Sequence, residues 1–162
     1  MSIKTKTQVG LIIILAVFAL SLLLSQKATP NVSPLFSLKR VQEKVFLKLK
    51  SNPEARVDYM VFLLNNRLYE LDAVVKAKSY DFVLPSASRY STLAGQITDL
   101  IIANNIKDSI EPVKKIFENH SKVLNDLYVF YPENIQDNVE WKYIQDDINY
   151  LKIYLDQLSS VK

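Results

Sequence analysis

The order of hydrophobic and polar positions divides this chain into three regimes. Val9 to Leu24, VGLIIILAVFALSLLL, is an uncharged stretch of sixteen residues preceded by Lys4 and Lys6. Residues 25 to 34, SQKATPNVSP, are short and polar, with two prolines and no periodicity, the pattern of a linker. From about Leu35 onward, apolar residues recur every three or four positions, the period of helices that bury one side.

The third regime predicts five helices. The first, about Leu35 to Lys50, places Leu38, Val41, Val45 and Leu49 on one face and stacks Arg40, Lys44 and Lys48 on another. Ser51-Asn52-Pro53-Glu54 then stops that helix and starts the next: Asn52 suits the N-cap, Pro53 the first helical position and Glu54 the positive end of the dipole. The second helix, about Pro53 to Lys78, carries Val57, Met60, Leu64, Leu68, Leu71 and Val75. Residues 79 to 88, SYDFVLPSAS, break the pattern, and Ser86 or Ser88 can cap a third helix from about Ser88 to Asn104 with Tyr90, Leu93, Ile97 and Leu100 as its seam. The fourth places Ile110, Val113, Phe117, His120, Leu124, Leu127 and Tyr131 in a 3,4 rhythm, tolerates Pro112 in its first turn, and ends at Pro132. The fifth, about Asp137 to Ser159, opens with Asp137 and Glu140 in capping-box spacing and repeats the rhythm through Trp141, Ile144, Ile148, Leu151, Leu155 and Leu158. Seams of this kind pack near 20°, so the fold class is all-α: an N-terminal transmembrane helix or signal segment followed by an antiparallel bundle of four to five helices.

Pro34-Leu35-Phe36-Ser37-Leu38-Lys39-Arg40, Glu43, Asn52-Pro53-Glu54-Ala55-Arg56 and Arg67-Leu68-Tyr69-Glu70-Leu71 together resemble a family of bacterial membrane-anchored or secreted helical domains of unknown function. Its members open with a proline, an aromatic and a lysine just after the membrane segment. They continue through a glutamate and an Asx-Pro-Glu turn into a helix that ends in Arg-x-x-Glu. The resemblance spans residues 34 to 72 and departs from the pattern at Asn65-Asn66, where small residues such as Ala are commoner. It implies a bacterial, extracytoplasmic helical domain and no mechanism.

Sixteen helical residues cover roughly 24 Å against a hydrocarbon core of about 30 Å, a short span that flanking residues must complete. Twelve of the sixteen are Leu, Ile, Val or Phe, so insertion is favourable by several kcal/mol, on the order of 0.3 to 0.6 per residue. The competing reading is a cleaved signal peptide, but cutting after Ala28 puts Gln26 where a small side chain is wanted. The segment is therefore read as an anchor over residues 9–25, with residues 1–8 cytoplasmic, 26–34 a linker and 35–162 a helical domain outside the membrane. Secretion after cleavage is the alternative.

Charge removes one class of partner. The net +3 is carried by Lys4, Lys6 and Lys27, and residues 29 to 162 hold 17 basic and 17 acidic side chains. A neutral domain has no electrostatic footprint for nucleic acid. Zero cysteine excludes disulfides, thiolate nucleophiles and sulfur-ligated metals. Two glycines, Gly10 and Gly95, exclude a glycine-rich phosphate loop.

The remaining chemistry is sparse. His120 is the single histidine and falls on the apolar seam of the fourth helix, so a hydrogen-bonded core histidine, or a neutral one at the seam's edge, is expected rather than a ligand or base. A di-iron bundle site needs two Glu-x-x-His elements, which one histidine cannot supply. Asp146-Asp147 and the Glu111, Glu118 pair read as solvated helix positions. No catalytic, cofactor or metal site is nominated, and an enzyme is not expected. One surface stands out: with Trp141 at heptad position a, Tyr143 and Tyr150 fall at c, Ile153 at f and Tyr154 at g, an aromatic face away from the main seam that a terminal helix wedged between two neighbours would bury, and that otherwise forms a patch for a protein partner. These readings converge on a membrane-anchored interaction or structural module, bound to the bilayer through residues 9–25 and to a protein partner or a second copy through its helices. A ligand-binding sensor or carrier bundle is the alternative, and it requires a cleft with converging polar groups.

Overall fold

The computed structural model describes residues 17, 20, 21, 28–31, 33–130 and 139–161. Five α-helices and a 3₁₀ turn occupy them: α1 Phe36–Lys48, α2 Pro53–Lys76, the turn Tyr80–Phe82, α3 Val83–Ala103, α4 Lys107–Phe130 and α5 Trp141–Ser159. The anchor expected over residues 9–25 falls almost entirely outside the described residues, of which 17, 20 and 21 are helical. Among the described residues no helix is long and apolar enough to cross a membrane.

Contacts divide the chain into two units, Met1–Phe46 and Leu47–Lys162. In the first, α1 turns the opposite way from its expected seam. Val41 and Val45 are exposed, while Lys39 and Glu43, two residues off that seam, are buried. The Lys39 ammonium donates to the Ala28 carbonyl at 3.2 Å, so the buried charge is hydrogen-bonded, as burial demands.

The second unit is a bundle of α2 to α5. Asn52 caps α2 as its sequence requires: its Oδ1 accepts from the Glu54 amide at 2.8 Å, and Pro53 fills the first position. The helix closes in a Schellman motif, the Ser79 amide donating to the Val74 carbonyl and Lys78 to Val75, with Lys78 at φ 54°. α3 ends the same way, Ile106 donating to Ile101 and Asn105 to Ile102 with Asn105 at φ 53°. Neither left-handed position is a glycine. α3 also starts five residues before the expected Ser88, because Pro85 sits in its first turn, where its missing N–H has no intrahelical partner. Ser86, expected as a cap, is instead buried and accepts from Arg89 Nη2 at 2.9 Å. α4 begins at Lys107, which puts Pro112 inside the helix rather than in its first turn. α5 begins at Trp141, and Glu140 before it makes no side-chain cap; Asp137 lies outside the described residues.

The core is the set of seams read from the periodicity. Leu64, Leu71, Ile97, Phe117, Leu124, Ile144, Leu151 and Leu158 are completely buried, each removing apolar area worth about 1.5 to 3 kcal/mol. α2 packs on α3, α3 on α5, α5 on α4, and α4 back on α2, so α2 and α5 stand at opposite corners. Within the hairpins the helices are antiparallel: Tyr128 meets Trp141 and Phe117 meets Tyr154 across α4 and α5. Across the hairpins they run in the same direction. Tyr154, late in α5, meets Gly95, while Tyr143, early in α5, shares a cleft with Leu84 at the start of α3. Consecutive helices thus alternate in direction, as an antiparallel bundle requires, while the short turn Asn104–Ile106 leads the chain across the bundle to the opposite corner rather than the adjacent one.

α2 and α3 are joined by a charged cluster. Arg67 Nη1 donates to Glu70 Oε1 at 2.5 Å, and Arg89 Nη2 lies 3.9 Å from the other carboxylate oxygen. Glu70 is completely buried and Arg67 nearly so. The Arg-x-x-Glu of the sequence motif is thus a buried ion pair.

Candidate functional site

The face of α3 that meets α5 is made of small side chains, and the face of α5 that meets it is made of large ones. Between them opens a cleft of about 470 Å³. Ala87, Ser88, Ser91 and Thr92 form its α3 wall, with Leu84 at one end; Tyr143, Asp146, Asp147, Tyr150 and Tyr154 form the α5 wall. Tyr154 approaches α3 so closely that a Cβ on Gly95 would lie 2.8 Å from its hydroxyl oxygen, and that hydroxyl donates to the Ser91 carbonyl at 3.5 Å. Gly95 is what admits the tyrosine.

The aromatic residues singled out by sequence divide here. Tyr143, Tyr150 and Tyr154 line the cleft, Tyr150 and Tyr154 stacked with ring centroids 6.2 Å apart. Tyr143 and Tyr154 also pack against the core, whereas Tyr150 is 46% exposed. Ile153, 49% exposed, is not part of the cleft wall.

Asp147 is the residue that sequence reasoning missed. It was expected in solvent with Asp146, yet only 2% of its surface is exposed. Its Oδ2 has no hydrogen-bond partner. Burial pushes its carboxyl up to about 8, partly opposed by a hydrogen bond from Ser91 and reinforced by the charge of Asp146, so the acid form prevails at neutral pH. A signal was present: residues 143, 147, 150 and 154 follow one another at 4, 3 and 4, so Asp147 shares the stripe of the three tyrosines.

Behind the cleft lies a polar relay through the bundle. The buried Tyr90 hydroxyl pairs with His120 Nδ1 at 3.1 Å, and His120 Nε2 pairs with Asn65 Oδ1 at 3.0 Å. Asn65 Nδ2 donates to the Val61 carbonyl at 2.9 Å, which orients the amide. Burial lowers His120 to about 4, so the ring is neutral, and one tautomer satisfies every partner: Nε2–H donates to Asn65, and Nδ1 accepts from Tyr90. Tyr90 is itself raised, first by burial and then by the charge of Asp147. The seam histidine is therefore a hydrogen-bonded core residue. Asn65, where the sequence departs from the motif pattern, is its partner. Among the described residues no group of three or more His, Cys, Asp or Glu converges as a metal would require.

Residues 27–123, more than half of the 162, match a domain of unknown function, DUF5667. The chain belongs to that family. The DUF5667 match takes in Asn52, the Arg67–Glu70 pair, the relay and the whole α3 wall of the cleft, but stops before α5. The tyrosines and Asp147 are therefore outside it. No curated protein and no solved structure matches the chain.

Proposed function

We propose that this chain is a membrane-anchored extracytoplasmic module of the bacterial cell envelope, and that its bundle works by binding rather than by catalysis, with the α3–α5 cleft as the binding site. The address rests on the apolar stretch Val9 to Leu24 and the lysines before it. The binding reading rests on the cleft. Its volume of about 470 Å³ falls in the range of small-ligand sites, roughly 300 to 1,000 Å³, and polar groups converge in it from two helices. That observation favours the ligand-binding form over a purely structural role.

Two measurements test the proposal. Alkaline extraction of membranes, with protease added to intact spheroplasts, separates an anchored external domain from a cytosolic one; a chain that stays soluble and protected refutes the address, and a mature mass lacking the apolar stretch replaces the anchor by secretion. Thr92→Trp places an indole in the cleft without touching the core. It is expected to abolish ligand capture while leaving thermal stability within about 1 kcal/mol, the usual range for an exposed position such as Thr92.

A further inference from the structure

Resting on the reading of the cleft as a binding site, we propose that its ligand is an organic cation, an alkylammonium or guanidinium group held against the Asp147 carboxylate between the rings of Tyr143, Tyr150 and Tyr154. Three observations carry this. Asp147 lines the cleft, is 98% removed from solvent, and leaves Oδ2 without a hydrogen-bond partner, an oxygen that becomes a free acceptor once the carboxyl is ionised. An ammonium offers three donors and no acceptor, the complement of that oxygen. Secondly, among the described residues no Lys, Arg or His lines the cleft, whereas Asp146 adds a second acid to its wall. Thirdly, the α5 wall is three tyrosines, whose ring faces attract a cation by about 0.5 to 2 kcal/mol each according to desolvation.

Binding is coupled to a proton. The described groups that act on Asp147 or on its neighbours are Asp146, Tyr150 and Tyr154 on α5, Ser91 and Tyr90 on α3 with Asp99 beside Tyr154, and on α4 the neutral His120, bonded to Tyr90. None is a cation that could hold the carboxylate ionised. The empty site keeps its proton near neutrality, and the arriving cation displaces it: the carboxylic acid plus ammonium gives the carboxylate–ammonium pair and one proton released to solvent. Affinity then rises about tenfold per pH unit up to about pH 8 and levels off above it.

The experiment is an amide NMR titration of the full chain in detergent with n-butylammonium, n-butanol and butyrate, repeated at pH 6, 7, 8 and 9. Butylammonium is expected to shift amides of α3 and α5 around the cleft, with the dissociation constant falling about fiftyfold between pH 6 and 8, and Asp147→Asn is expected to remove both the shifts and the pH dependence. Butanol or butyrate shifting the same amides as strongly overturns the cation assignment while leaving the cleft a binding site. No shift with any of the three overturns both. A blocked tripeptide with a central lysine forms a fourth arm: binding tighter than butylammonium assigns the cation to a protein side chain, binding weaker assigns it to a free amine, and each supports the proposal.

Discussion

Two buried groups, Asp147 in the cleft and His120 behind it, predict an unusual pH dependence of stability between pH 4 and 8. Asp147 is raised from 3.8 to about 8 in the folded chain and His120 is lowered from 6.5 to about 4. Between about pH 4 and 6.5 the folded state holds a proton on Asp147 that the unfolded chain has lost, and lacks one on His120 that the unfolded chain binds. Each imbalance changes stability by about 1.4 kcal/mol per pH unit, with opposite signs, so they cancel. Above 6.5 His120 is neutral in both states and Asp147 acts alone. Stability therefore falls by roughly 2 kcal/mol between pH 6.5 and 8, then levels. Asp147→Asn removes this fall and uncovers the histidine: the variant gains about 3 kcal/mol from pH 4 to 6.5 and stays flat beyond. Urea unfolding of the full chain reads both curves through Trp141, the single tryptophan, whose ring meets Tyr128 edge-on at 6.0 Å. Other carboxylates contribute equally to the two proteins, so the difference between the curves is the decisive quantity. Curves that run parallel from pH 6.5 to 8 refute the assignment of a protonated Asp147.

Three further substitutions test the packing. Arg67→Ala leaves the completely buried Glu70 without its 2.5 Å partner and is expected to cost about 3 kcal/mol, the low end for such a pair because Arg89 stands 3.9 Å away; the melting temperature falls by roughly 10 °C. The double change Arg67→Met with Glu70→Leu, which removes both charges, is expected within about 1 kcal/mol of the parent in the same melt. Lys78→Gly relieves the left-handed residue that closes α2 and is expected to stabilise by about 1 kcal/mol in urea unfolding. Gly95→Ala drives a methyl against Tyr154 and is expected to destabilise, whereas in a Tyr154→Ala background it stabilises by roughly 1 kcal/mol, the helix propensity gain alone; equal effects in both backgrounds refute the contact.

The helices and their seams were legible because apolar residues at 3,4 spacing leave one way to bury them. Val113, Phe117, His120, Leu124 and Leu127 all lie inside, on the face that the spacing marks. Helix ends were less legible where the usual punctuation is missing. Lys78 and Asn105 take the left-handed positions that glycine usually holds, and Pro85 reads as a breaker although the first turn accommodates it. The inverted α1 was not legible at all, since periodicity cannot see Lys39 finding a carbonyl eleven residues earlier.

Asp147 shows why a cleft is harder to read than a core. Next to Asp146, an acid on a helix looks solvated, and what buries it is a wall of small residues on α3 some fifty positions earlier. The same helix face holds the tyrosines, so α5 has two stripes of different character. Ile144, Ile148, Leu151 and Leu158 pay back in burial what the helix loses in entropy, while 143, 147, 150 and 154 include an acid that weakens the fold as pH rises. A leucine at 147 would end that loss, so the acid is a local inconsistency in the packing of α5, at the position to which the proposed cleft assigns its cation. The stability curves and the butylammonium titration therefore probe one carboxyl from two sides: the proton that the empty cleft retains in the first is the proton that the cation must release in the second.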